Sequence, residues 1–184
     1  MTIEMTNHKL YIQDETVDVT LILFKNVTNS KDVLEIYNKL SADISSSDHQ
    51  NKFFLILDSQ LVFNEDHILH SIYRGYHNFK TKKKITKNII LEIFFLLSSH
   101  ENINECINQY KMNENSTSII YVGVNMPTDQ ILEVTKLIQG ESTNFDEISS
   151  LHCEKKILEH FNTDINNIDR FIYHNIASKK ISLN

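Results

Sequence analysis

The stretch Lys80 to Met112, KTKKKITKNIILEIFFLLSSHENINECINQYKM, decides the reading of the chain. It holds a cationic run, an apolar block and an amphipathic segment introduced by Asn102. Ile89–Leu97 is apolar at every position except Glu92, so the block must be buried on nearly all sides. Its burial fixes where the lysines just before it emerge. Nine residues suit either a strand or a buried helix, and we read a helix that forms a hairpin with a second helix over Asn102–Gln109. In that second helix Asn102 is the cap, and Ile103, Cys106, Ile107 and Tyr110 share one face. A lone carboxylate inside an apolar block is costly unless donors satisfy it. Glu92 is therefore expected to tie down the Thr86–Asn88 turn, in preference to a catalytic role.

Charge isolates the same region. The chain of 184 residues carries a formal charge of −6. Residues 67–91 nevertheless contain Arg74, Lys80, Lys82, Lys83, Lys84 and Lys87, three histidines and no acid. With six of the 18 Lys and Arg there, the remaining 12 face all 24 Asp and Glu. A cationic patch on an acidic body is a local electrostatic feature rather than the footprint of a general nucleic-acid binder. The plainer alternative is a solvated lysine loop in a chain rich in Ile, Asn and Lys.

Working outward, Val17–Phe24, Phe53–Leu57 and Ser118–Val124 are β-branched or apolar runs that read as strands, with a further short strand near Leu10–Ile12. Ser30 is expected to cap a helix with Val33, Tyr37 and Leu40 on its buried stripe. Asn64, Glu65 and Asp66 open another, along which Ile68, Leu69, Ile72, Tyr73 and Tyr76 recur. Pro127 and Thr128 open a helix closed by Gly140, and a last amphipathic helix covers 165–178. Ser45–Asn51 reads as a polar loop, and residues 1–9 as a flexible terminus. Without a regular βαβ rhythm, these elements predict one α+β domain over 1–184. Its small, mainly antiparallel sheet of about three to five strands packs with amphipathic helices.

The chemistry is mostly negative. Glycine occurs only at 75, 123 and 140, so no Gly-rich phosphate loop exists, and neither H-E-x-x-H nor G-x-S-x-G occurs. Cys106 and Cys153 share no metal spacing and read as small buried hydrophobes. His67 and His70, three apart on a helix, have no acidic or cysteine partner and read as surface histidines rather than ligands. No catalytic residue, metal or cofactor is expected. No window approaches about 18 apolar residues and no signal sequence is read, so a membrane is not expected and the nucleus and cytoplasm are.

The quoted stretch also carries a resemblance. Thr86-Lys87-Asn88-Ile89-x-x-Glu92, Leu97-Ser98 and Asn102-Ile103-x-Glu105-Cys106-Ile107-x-x-Tyr110 resemble the PRPK-binding (TPRKB-like) family, the small kinase-binding subunit of the KEOPS (EKC) complex. The family pattern there runs K-x-[RK]-T-[RK]-N-L-x-x-E, then L-S-P, then N-I-x-x-A-L-x-x-F-G. This chain has Ser99 where proline is usual, Lys111 where glycine is usual and Ile85 where a basic residue is usual. Val17–Phe24, the 58–79 segment, Lys155-Lys156-Ile157-Leu158 and the C-terminal helix follow the family in order.

The resemblance implies an accessory subunit without catalytic activity. It would bind the small atypical kinase/ATPase of the complex (PRPK-like), meet other KEOPS subunits indirectly, and support threonylcarbamoyladenosine modification of tRNA. It also implies contact with the tRNA 3′ CCA end, for which Lys80, Lys82, Lys83, Lys84 and Lys87 are the candidates. Tyr73, Tyr76 or Phe79 is a candidate base-stacking ring, against the alternative of core packing. Ile168, Phe171 and Ile172 are candidates for the kinase, against the alternative that the last helix docks on its own core. Thr86, Asn88, Glu92, Asn102 and Ile103 form the structural motif. The other reading is a protein–protein adaptor and kinase regulator without direct RNA contact.

Overall fold

The computed structural model describes residues 3–45 and 51–180. Elements in chain order are β1 (Thr6–Ile12), β2 (Glu15–Lys25), α1 (Ser30–Ser45), β3 (Phe53–Asp58), α2 (Glu65–Lys80), α3 (Ile89–Leu97) and α4 (Ile103–Tyr110). There follow β4 (Ile119–Val124), α5 (Thr128–Thr135), β5 (Glu141–Thr143), α6 (Ile148–Leu151), α7 (Glu154–Phe161) and α8 (Ile168–Ser178). This is the α+β architecture that the sequence predicts. The chain groups into two compact units, Met1–Ser59 with Lys111–Leu151, and Gln60–Tyr110 with His152–Asn184. Each unit is made of two separated stretches, so no composition break marks it in the sequence.

The first unit contains the sheet, in the order β1-β2-β4-β3, with β5 continuing β1's side of β2. Every pairing is antiparallel. β3 and β4 are buried at all positions, which is why they read as continuous apolar runs instead of alternating. One face packs Ile22, Phe24, Phe54, Ile56, Ile119 and Tyr121 against Val33 and Tyr37 of α1 and Ile131 of α5. Phe54 stacks on Tyr121 with ring centroids 5.5 Å apart. Fully burying side chains of this size stabilises by about 1.5–3 kcal/mol each.

Several expectations change here. The terminus read as flexible over 1–9 is strand from Thr6, because Thr6, His8 and Leu10 are half-buried while Asn7, Lys9 and Tyr11 stay exposed on an edge strand. Its residues 1–2 and the loop residues 46–50 lie outside the described residues. Ser30 does not cap α1: its hydroxyl donates to the Ser116 carbonyl, and the Asn29 carbonyl takes Val33 N–H at 3.1 Å. Leu40 lies exposed at the edge of the α1 stripe. α5 ends at Thr135, well before Gly140, and turns at residues 135–138 carry Ile138 into the core. β5 was hidden in a short acidic stretch too brief to show alternation.

The second unit is helical. The apolar block is α3, as read, paired with α2 on one side and α4 on the other. α8 packs Ile168, Ile172 and Ile176 against Ile157 and Phe161 of α7. No helix among the described residues is long and apolar enough to cross a membrane.

Candidate nucleic-acid interface

The lysine loop is built from its two flanking helices. α2 begins where Asn64 Oδ1 accepts His67 N–H at 2.9 Å, with Glu65 and Asp66 at the positive end of the helix dipole. It ends in a reversal of Schellman type. Lys83 N–H reaches the Asn78 carbonyl at 2.8 Å and Lys82 N–H the Phe79 carbonyl at 3.3 Å, with Lys82 left-handed at φ 57°. α3 begins at Asn88, whose Oδ1 accepts Leu91 N–H at 2.9 Å. Gly75 lets the two helices approach closely: a Cβ there would sit 3.3 Å from Ile89 Cδ1.

Between the helices the loop is tied to Glu92, which is fully buried. Thr86 gives it both N–H (2.9 Å) and Oγ1 (2.7 Å), Ile85 its N–H (3.1 Å) and Asn78 its Nδ2 (2.9 Å). The Thr86 hydroxyl also lies 2.9 Å from the Asn88 carbonyl. The turn is thereby closed on the carboxylate from inside. Lys82, Lys83, Lys84 and Lys87 point to solvent from it, while Lys80, in the last turn of α2, is half-buried. The cations also sit at the negative end of α2.

The three aromatics upstream separate. Tyr76 is buried in the core, Tyr73 is 43% exposed, and half-buried Phe79 lies beneath Lys84, whose Nζ is 4.8 Å from the ring centroid. Asn102 Oδ1 accepts Asn104 N–H at 2.9 Å and Glu105 N–H at 3.3 Å, which starts α4, and Ile103 is half-buried beside it. On α8, Ile168 and Ile172 face inward, each 1% exposed, whereas Phe171 is 46% exposed. Only Phe171 of these three offers a surface to a partner. α8 starts at Ile168 rather than 165 because Asp164 caps a preceding turn through Asn166 N–H, leaving Ile165 exposed.

A polar cage at the C-terminal end of α3 left no local sequence signal. The orphan carbonyls there are taken one by one: Phe95 by Lys179 Nζ, Leu96 by Asn175 Nδ2 (3.4 Å), Leu97 by His67 Nε2 (2.9 Å), and Ser98 by both Lys179 and Asn175. Ser99 N–H then donates to His160 Nε2 at 3.0 Å. The donors come from 30 to 84 residues away, so no local spacing announces them.

His67 is thus not a surface histidine. It is fully buried, accepts Phe63 N–H at Nδ1 (3.3 Å), and carries its proton on Nε2 toward Leu97. Burial pulls it down to about 4, with His70 adding to the fall and the Leu97 bond opposing it. Burial also holds His160 at about 4, with His100 and His67 adding to it. His70 packs against Tyr173 with the rings tilted by 52° and their centroids 4.8 Å apart. Among the described residues no group of three His, Cys, Asp or Glu could hold a metal ion.

With this geometry in view, the match to known proteins falls into place. The family model described as kinase binding protein CGI-121 matches residues 24–180. The chain belongs to the CGI-121 kinase-binding family. The match runs from the last residues of β2 to the end of the described chain and takes in the lysine loop, the Glu92 turn and the α3 cage. It is also the family to which the Thr86–Glu92 motif pointed.

Curated relatives agree. The EKC/KEOPS complex subunit CGI121 of Candida albicans is 24% identical over 132 residues, 71% of this chain and 64% of the relative. That of Aspergillus fumigatus is 23% identical over 129 residues, 70% and 64%. That of Yarrowia lipolytica is 23% identical over 143 residues, 77% of each. The chain therefore spans somewhat less than two thirds of the Candida albicans and Aspergillus fumigatus proteins.

Proposed function

We propose that this protein is the non-catalytic, kinase-binding subunit of an EKC/KEOPS complex, working in the nucleus and cytoplasm. The carrying observation is the CGI-121 family match over 24–180, which covers both compact units. In this reading the chain binds a small PRPK-like kinase/ATPase and supports threonylcarbamoyladenosine modification of tRNA. Lys82, Lys83, Lys84 and Lys87, with Lys80 behind them, hold the 3′ CCA end by its phosphates. Lysines make point-charge contacts that position a backbone without reading sequence. An exposed ring such as Tyr73 is available to stack on an unpaired base.

A specific observation favours the narrower adaptor reading: the chain is acidic at −6, and outside residues 67–91 only 12 Lys and Arg stand against 24 Asp and Glu. The two readings share the kinase. Co-expression of this chain with the PRPK-like kinase of its own organism tests that shared part. A complex that survives size-exclusion chromatography is expected, and separate elution at micromolar concentration would contradict it.

A further inference from the structure

Every hydrogen bond that reaches Glu92 is given to it. Oε1 accepts from Asn78 Nδ2 (2.9 Å) and Ile85 N–H (3.3 Å), and Oε2 from Thr86 N–H (2.9 Å), Thr86 Oγ1 (2.7 Å) and Ile85 N–H (3.1 Å). All these donors are neutral, and three of the five bonds come from backbone amides of the loop. Four lysines on the same loop contribute none of them and remain exposed. The loop is therefore held from below by a carboxylate that leaves its cations unspent.

We propose that Glu92 is a positioning residue for RNA: its acceptor-only head presets the lysine loop so that phosphates meet the cations in place. The inference rests on the reading that this loop holds tRNA. What the site demands is an oxygen facing the Thr86 and Ile85 donors. An amide at 92 is isosteric and can keep its oxygen there, because the buried Oδ1 of Asn78 has no hydrogen-bond partner and that amide can turn over to accept the new N–H. Glu92→Leu offers no acceptor at all. It strands the Ile85 and Thr86 N–H groups in a buried site, and the loop loses its anchor. A loop that must be ordered by the RNA itself binds more weakly, because the ordering cost falls on the binding step.

The same geometry specifies a variant that moves the charge and keeps the anchor. Exchanging the two groups, Asn78→Asp with Glu92→Gln, turns the first bond around: the amide N–H at 92 now donates to a carboxylate at 78. Its oxygen still accepts from Thr86 and Ile85, and the exchange sacrifices only the 3.3 Å bond. The pair keeps its single negative charge.

Full-length protein is titrated with tRNA at fixed salt, with kinase affinity measured on the same samples. Glu92→Leu is expected to weaken tRNA binding about tenfold with kinase affinity unchanged. The double exchange, which keeps an oxygen toward Thr86 and Ile85, is expected to bind within about twofold of wild type. Hydrogen exchange of the Ile85 and Thr86 amides should speed up in Glu92→Leu and stay slow in the double exchange. Should Glu92→Leu fail to fold, Thr86→Val, which removes the Oγ1 bond to Glu92, carries the test. A severalfold loss of tRNA binding is then expected, and unchanged binding overturns the positioning role.

A folded Glu92→Leu protein that binds tRNA like wild type overturns the positioning role. A double exchange that binds as weakly as Glu92→Leu overturns the acceptor requirement. The Lys82, Lys83, Lys84 and Lys87 to Glu protein is the control. If it binds tRNA normally, the loop reading fails and the inference with it. If it loses binding while Glu92→Leu does not, only the positioning role fails.

Discussion

His67 Nε2 donates to the carbonyl oxygen of Leu97 at 2.9 Å while Nδ1 of the same ring accepts Phe63 N–H at 3.3 Å. The ring is therefore used as a neutral linker between the start of α2 and the end of α3, and a second proton would remove the acceptor. Its folded pKa, about 4, lies below the ordinary 6.5. The unfolded chain thus binds the proton more readily. The stability His67 confers is complete above about pH 6.5 and is lost as pH falls toward 4. Urea unfolding between pH 7.5 and 4.5 should show stability falling by up to about 3 kcal/mol on this account, with His160 adding in the same direction. His67→Gln, lower at neutral pH, should show a flatter profile. An equally steep profile would move the titration elsewhere.

Lys179 closes the other side of the same helix end. Burial lowers it to about 8, so it is still charged at neutral pH, where its ammonium serves the carbonyls of Phe95 and Ser98 and sits 4.1 Å from the Phe95 ring. Lys179→Met keeps the stem and removes the donors. A loss of about 1–3 kcal/mol in urea unfolding is expected, since buried carbonyls lose a charged partner. No change would show that water replaces it freely.

Ser99 stands where the family pattern has proline. In this chain its N–H is spent on His160 Nε2 at 3.0 Å. Ser99→Pro, although it restores the family residue, should destabilise by about 1–2 kcal/mol because it strands a partly buried ring nitrogen. The effect should shrink in a His160→Phe background. Thermal unfolding of the four proteins completes the cycle.

On α8 neighbouring residues should behave oppositely. Ile172→Glu places a charge in the Ile157–Phe161–Ile168 cluster and should lower stability by several kcal/mol, visible by circular dichroism. Phe171→Glu should leave the fold intact. A weakened kinase complex in that folded variant places Phe171 in the interface, and full affinity puts the interface elsewhere.

The fold was legible where one physical signal dominated. Ile89–Leu97 could only be buried, Asn64 and Asn102 stood where helix caps are needed, and a carboxylate amid nine residues of apolar block had to be satisfied locally. The Glu92 turn lies six residues from its partner Thr86, within reach of sequence reasoning. What escaped was non-local. Nothing near His160, Asn175 or Lys179 says that they converge on the end of α3, and nothing near Ser30 says its hydroxyl serves Ser116 instead of its own helix. β5 escaped because it is a three-residue edge strand, and of half-buried β1 only the Leu10–Ile12 end was legible. The inward turn of Ile168 and Ile172 was open too, since an apolar stripe does not reveal what it packs against.

The central claim, that the Glu92-anchored lysines meet RNA, is tested most directly by one titration series. Wild-type protein and the variant with Lys82, Lys83, Lys84 and Lys87 changed to Glu are titrated with tRNA, intact or lacking its CCA end, between about 50 and 200 mM salt. Wild type should lose affinity steeply with salt, with a log–log slope near −3 if about four phosphates of a single strand are neutralised. It should also bind the trimmed tRNA more weakly. The reversed variant should bind neither RNA while still holding the kinase. Equal affinity and an equal salt slope for the two proteins would contradict the account.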